Sequence, residues 1–149
     1  MAGPELGGAA RPRYDDVEVG AALPAQSFVI SRRHLVRYCG ASGDFNVIHW
    51  NERLAASVGL PDVIAHGMFT MAQAGRVITD WAGDPGAVLE YGVRFTRPVV
   101  VPDDDVGAQL DVSGFVTDKL ADRQVRIELT ARCGDAKVLA QARATVRLG

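Results

Sequence analysis

The sequence predicts an α+β domain in which an antiparallel sheet packs against one long helix, and two patterns predict it. The first is the run from Gly67 to Ala82, GMFTMAQAGRVITDWA. Apolar residues cover most of its helical circumference and confine Gln73, Arg76 and Asp80 to a narrow polar stripe, which marks a mostly buried helix. The second is the C-terminal half, where four segments in succession carry apolar residues with period two. Strands that follow one another through short turns pair antiparallel, and a sheet with one apolar face needs the helix as cover.

The elements follow in chain order. Residues 1–13, MAGPELGGAARPR, read as a flexible extension ahead of a domain at 14–149. QSFVIS alternates over a short strand, and Ser31 stands where a helix N-cap would, ahead of Leu35, Tyr38 and Cys39 at helical spacing. A second short helix fits NERLAASVG, with Asn51 near its start and Gly59 just past its end, before the proline-containing loop LPDVIAH. In LEYGVRF the residues Leu89, Tyr91, Val93 and Phe95 share one face, and the stretch from Pro98 to Asp105 breaks the run. QLDVSGFV repeats the period through Leu110, Val112 and Val116, with Gly114 a candidate bulge. QVRIELTAR turns Val125, Ile127, Leu129 and Ala131 inward. KVLAQARATVRL does the same with Val138, Ala140, Ala142, Ala144 and Val146, leaving Arg143 and Arg147 to water.

Composition excludes several classes of function. At 149 residues the chain is one domain's length, enough to bury a core without disulfides or metals. A formal charge of −2 with scattered Lys and Arg provides no footprint for nucleic acid or an anionic membrane surface. Cys39 and Cys133 lack metal-ligand spacing and are expected as reduced, buried thiols, which suits a cytoplasmic protein. The opening residues hold no secretory apolar core, and no segment reaches membrane-spanning length.

The most informative stretch is CGASGDFNVIHW, residues 39–50. A regular helix or strand would keep Asp44 and His49 on separate faces, because their spacing is five. They converge only if the backbone folds back, and Gly43 and Asn46 supply the chemistry for such a bend. Asp44 and Asn46 superficially suggest a calcium loop, but the remaining ligands, including the terminal glutamate, are missing.

The segment from Tyr38 to His49, YCGASGDFNVIH, resembles the hydratase motif of the MaoC-like family, the (R)-specific enoyl-thioester hydratases and dehydratases with the hot-dog fold. Asp44, Asn46 and His49 fit its spacing, while IAHGM (Ile64 to Met68) and AVLEYGVRFTRPVVVPDD extend the match over most of the chain from about residue 14. GDFNVIHWNE, AHGMFTM and WAGDPGAV are most similar to the catalytic B subunit of the mycobacterial-type (3R)-hydroxyacyl-ACP dehydratase. The resemblance implies a hot-dog sheet wrapped around a long central helix. It implies acyl-CoA or acyl-carrier-protein thioesters of fatty-acid metabolism as substrates, with Asp44 and His49 as the catalytic pair. It also implies a partner: a second hot-dog subunit, either another copy or a different chain. Three positions depart from the family pattern. Val47 replaces a common proline, Gly75 stands where a serine can support the aspartate, and Pro102, Asp103 and Asp104 replace the usual Pro-Gly-Asp turn.

The residues suit that chemistry. Adding water across the double bond beside a thioester carbonyl needs two proton transfers, and one carboxyl with one imidazole suffices. The acid and base roles of Asp44 and His49 stay interchangeable at this level. Gly67 opens the central helix, so its backbone N–H is the candidate oxyanion donor, and Asn46 holds the loop or the substrate. No metal and no cofactor are expected, since the electrons stay on the substrate and no dinucleotide fingerprint is present. His66 is expected to shape the helix entrance, and His34 to face solvent. Two other functions compete: a hot-dog thioesterase, for which Asp80 lies too far along the helix, and a non-catalytic acyl-binding subunit, which would lack the Asp44–His49 pair.

Overall fold

Period-two alternation in the C-terminal half folds into three long strands joined by tight turns: β3 (Ala108–Leu120), β4 (Gln124–Cys133) and β5 (Ala136–Arg147). A computed structural model describes residues 10–149. Residues 1–9 of the expected extension lie outside the described residues, and Arg11 lays its side chain over Gly83. Two further strands, β1 (Ala22–Ile30) and β2 (Val88–Phe95), complete one antiparallel sheet in the order β1-β3-β4-β5-β2. Three helices, α1 (Arg32–Ser42), α2 (Glu52–Ser57) and α3 (Gly67–Ala82), lie between the first two strands in sequence.

The long helix α3 occupies the residues its apolar pattern predicts, and Gly83, at φ 68, ends it by donating its N–H to Thr79 O. Ala74, Val77 and Ile78 of α3 are buried with Val112 and Val116 of β3, Ile127 and Leu129 of β4, and Ala142 and Val146 of β5. Each large aliphatic side chain so buried contributes about 1.5–3 kcal/mol. α3 packs against both edge strands, β1 and β2, as well as β3. A helix touched by both edges of one sheet is a helix that the sheet wraps.

The structure corrects the strand reading at four places, each through a shift of register. The short strand expected at QSFVIS is a nine-residue strand, because Ala22 and Leu23 also pair with β3 across an irregularity that contains Pro24. On an edge strand a missing N–H costs no ladder bond. Gly114, the candidate bulge, pairs regularly with Leu129, and the irregularity lies opposite it in β1. Glycine is needed there for space, since a Cβ would stand 2.5 Å from Leu129 Cδ2. In β2, shifts after Val88 and after Gly92 split the expected face: Val88, Tyr91 and Val93 pack on the core while Leu89 and Phe95 are exposed. In β5, Gln141 adopts φ 48, and Leu139 rather than Ala140 becomes fully buried.

Arg32, at the start of α1, ties three segments together. Its Nε donates to Val101 O at 2.6 Å and its guanidinium meets Asp62 Oδ1 at 2.6 Å, fixing the loop that leads into α3. His34 is not idle: its Nδ1 accepts the Ser31 N–H at 3.1 Å, closing the N-terminal turn of α1.

Candidate active site

The bend that the spacing of Asp44 and His49 requires is built from short polar side chains bonding to nearby backbone. α1 ends at Gly43, whose φ of 76 turns the chain and whose N–H bonds Cys39 O. Ser42 Oγ then accepts the Asp44 N–H, Asp44 Oδ1 accepts the Asn46 N–H, and Asn46 Oδ1 accepts the Ile48 N–H, at 3.1, 3.1 and 3.3 Å. Each such bond offers the backbone an alternative to a continued helix. A single 3-10 turn, Val47–His49, follows, and Trp50 Nε1 closes the loop by donating to Phe45 O.

This path brings Asp44 Oδ2 to 4.0 Å from His49 Nε2. The distance is too long for a direct hydrogen bond. The His49 side chain is 8 % exposed and that of Asp44 is 52 % exposed, so the imidazole is enclosed and the carboxylate is open to what approaches. His49 Nδ1 lies 2.7 Å from Ile64 O. A carbonyl only accepts, so Nδ1 carries the proton of the neutral ring and Nε2, the atom facing Asp44, is bare.

His66 joins this pair, which sequence reasoning did not foresee. It is 1 % exposed and stacks on His49 with ring centroids 3.8 Å apart, while Tyr38 packs against it at 4.7 Å. Its Nε2 lies 3.1 Å from the backbone oxygen of Asp44 and 3.6 Å from Cys39 Sγ, and its Nδ1 has no partner among the described residues. Only its position beside Gly67 in the sequence hinted at the site. Burial pushes the His66 pKa down, against a smaller upward pull from the Asp44 carbonyl. The unfolded chain therefore binds this proton more readily, and the resulting stability is present above about pH 6.5 and lost as pH falls below it toward the depressed value. His66→Leu is expected to flatten that part of the acid limb in urea denaturations run from pH 7.5 to 5, and an unchanged slope would refute the assignment.

The other expected residues stand as follows. Asn46 spends its side-chain oxygen on the loop itself. Gly67 opens α3 directly after His66, where the helix presents unpaired N–H groups and its positive dipole end. A Cβ at Gly67 would stand 3.1 Å from the Phe95 ring. At Gly75 a Cβ would come within 2.9 Å of Tyr91, whose OH donates to Met71 O, so the tyrosine ring fills the place of a serine. Beside it a cleft of about 210 Å³ is lined by Ala72, Gly75, Ile78, Thr79, Val88 and Tyr91 together with Arg76, and its exposed surface is mostly apolar.

Asp44, His49 and His66 each bring one ligand atom within 4.8 Å of the others. The two rings, however, lie near parallel at 23°, so their in-plane lone pairs run side by side, and one nitrogen of each is committed to a carbonyl. Such a set suits proton transfer better than coordination. Among the described residues no helix is long and apolar enough to cross a membrane.

Residues 17–132 match the family model described as MaoC like domain. The chain is 44% identical over 79 residues to 3-hydroxyacyl-thioester dehydratase X of Mycobacterium tuberculosis, covering 53% of this chain and 27% of that protein. It is 30% identical over 127 residues to 3-hydroxybutyryl-CoA dehydratase of Methylorubrum extorquens, covering 85% of this chain and 78% of the relative. A solved structure of a MaoC-like dehydratase superposes with a TM-score of 0.90 at 40% identity, over 93% of this chain and 43% of that one. The chain thus spans less than half the length of the first and third of these proteins. The wrapped sheet is the hot-dog fold, and with the family match running through most of its length, the chain belongs to the MaoC-like family.

Proposed function

We propose that this chain is an (R)-specific 3-hydroxyacyl-thioester dehydratase, equally an enoyl-thioester hydratase, acting on acyl-CoA or acyl-carrier-protein substrates of fatty-acid metabolism. The observation that carries the reading is the 4.0 Å gap between Asp44 Oδ2 and His49 Nε2. One oxygen, a water or a substrate hydroxyl, fits between them at about 2.8 Å from each, ordinary hydrogen-bond length. In dehydration the bare His49 Nε2 takes the α-proton. The β-hydroxyl, held between the two groups, leaves as water with a proton delivered from the pair. One proton enters the pair and one leaves it, and hydration runs the same transfers backwards. Negative charge that develops on the thioester oxygen is met by the Gly67 N–H at the start of α3, a contribution of about 3 kcal/mol. Asn46 keeps the loop in register.

A second hot-dog unit completes the site in this reading. The MaoC-like dehydratase whose fold this chain matches at TM-score 0.90 is more than twice as long, which leaves room in it for another unit of this size. The apolar cleft beside Tyr91 lies open on α3 and β2, and Met68 is 58% exposed near the start of the same helix. A partner laid over this face would enclose the acyl chain and desolvate Asp44. The dyad disfavours the reading as a non-catalytic subunit, and nothing in the structure places Asp80 at the site, since it bonds Gln26.

The experiment is hydration of crotonyl-CoA, followed by loss of enoyl-thioester absorbance with chiral analysis of the product, for the chain alone and with a hot-dog partner. The (R)-3-hydroxy product is expected. An (S) product, release of free thiol, or silence with the partner and with longer acyl and carrier-protein substrates would overturn the proposal.

A further inference from the structure

His66 touches both members of the pair, and its surroundings are those of a group held for geometry. Its Nε2 lies within hydrogen-bond distance of the Asp44 carbonyl, which only accepts, so Nε2 carries the proton and Nδ1 is the bare nitrogen. That Nδ1 is buried and has no hydrogen-bond partner among the described residues, an unfavourable state for a polar atom. Nor does the side chain serve α3 as a cap, although His66 occupies the N-cap position, where Ser, Asp or Asn would satisfy a helix N–H. The ring lies between His49 on one side, at 3.8 Å, and Tyr38 on the other. The groups facing it are therefore Asp44 from the loop, His49 from the 3-10 turn, and Tyr38 and Cys39 from α1.

We propose that His66 is a positioning residue for the reaction, a neutral imidazole that donates Nε2–H to the Asp44 carbonyl while its face backs His49, thereby setting the gap between the two reacting groups. The inference rests on the proposed hydratase reading and adds to it a residue that contacts neither substrate nor reacting proton. The gap matters because proton transfer depends on sub-ångström placement, and a displacement near 1 Å costs about 100-fold in rate. His66 acts on that placement from both ends. It anchors the backbone of Asp44, whose own side chain is occupied at Oδ1 by the Asn46 N–H, and it limits the tilt of the His49 ring about the Ile64 contact.

Three substitutions separate the donor from the ring. His66→Leu removes both, His66→Phe keeps a stacking face without the donor, and His66→Gln places an amide N–H near the position of Nε2 without the ring. The assay is enoyl-thioester hydration with the partner conditions that support the wild type, with Tm recorded for each variant. His66→Leu is expected to lower kcat by about 10- to 100-fold with KM little changed, since the loss is one of placement. His66→Gln, which keeps a donor, and His66→Phe, which keeps a face, are each expected to recover part of kcat. In the wild type, 15N NMR of the imidazole is expected to show the Nε2–H tautomer for His66. Equal impairment of the Gln and Leu variants in step with Tm would make His66 merely structural and overturn the inference. So would unchanged kcat in His66→Leu, or the Nδ1–H tautomer in the wild type. A wild type silent toward every enoyl thioester would overturn the hydratase reading itself, and the inference with it. Activity with unaffected variants would overturn the inference alone.

Discussion

Replacing His49 with alanine, or Asp44 with asparagine, is expected to lower kcat/KM for enoyl-thioester hydration by about 100- to 10,000-fold in each case, the range for losing a positioned acid or base. In the proposed reaction the two losses are interdependent. His49 Nε2 is bare because Nδ1–H is tied to Ile64 O, and among the described residues the carboxylate facing it is that of Asp44, 4.0 Å away. An oxygen bridging both groups loses its orientation when either is removed, so the double variant should be hardly slower than the worse single one. Asp44→Asn retains an oxygen for the Asn46 N–H, which keeps the loop folded and makes the loss chemical. Circular dichroism and Tm matching the wild type would support that reading. Fully multiplicative losses in the double variant would show instead that the two side chains act at separate steps.

The second large effect concerns stability. Gly114→Ala is expected to destabilise the chain by about 1–3 kcal/mol, the usual cost of overpacking a filled core. The new Cβ would lie 2.5 Å from Leu129 Cδ2 and 3.1 Å from Glu128 O, and the second of these is backbone and cannot swing aside. Leu129→Ala alone is expected to cost about 2–5 kcal/mol through the cavity it leaves. Joined, the two should cost less than their sum, because the methyl of residue 114 enters space vacated by Leu129. Urea denaturation of the four proteins measures the coupling, and strict additivity would mean that the backbone clash with Glu128, not the side chain, sets the cost.

The parts of the fold legible in the sequence are those whose pattern is long and uninterrupted. α3 was readable end to end because sixteen residues repeat one apolar face, and β4 because its alternation never slips. β2 and β5 are not legible, because register shifts within the strands exchange their faces: Leu89 and Phe95 turn outward, and Leu139 turns in. Nothing local in the sequence marks Gln141 for a left-handed conformation, since the neighbouring strands impose it. At the site, the proximity of Asp44 and His49 followed from their spacing and the turn chemistry between them. The part played by His66 did not, because its contacts reach across twenty-two residues to a carbonyl, and backbone atoms carry no sequence signal. The exposure of Asp44 was also hidden, since the spacing that brings it to His49 says nothing of what covers it.

The strand order has a kinetic meaning as well. β3, β4 and β5 are neighbours in sequence and in space, so two hairpins can assemble them from local contacts. β1 is different: Ile30 pairs with Ala108, and everything that carries the site, α1, the loop of Asp44 and His49, and α3, lies in the long segment between them. Closing that segment is a non-local step with a large entropic barrier, and such steps set the pace of folding. On the ribosome the residues of the site emerge first and must wait for the C-terminal strands before they have a sheet to close on. The pairing of β1 with β3, which closes the sheet around the site, is therefore expected to follow assembly of the C-terminal strands, with that edge of β3 unpaired until then.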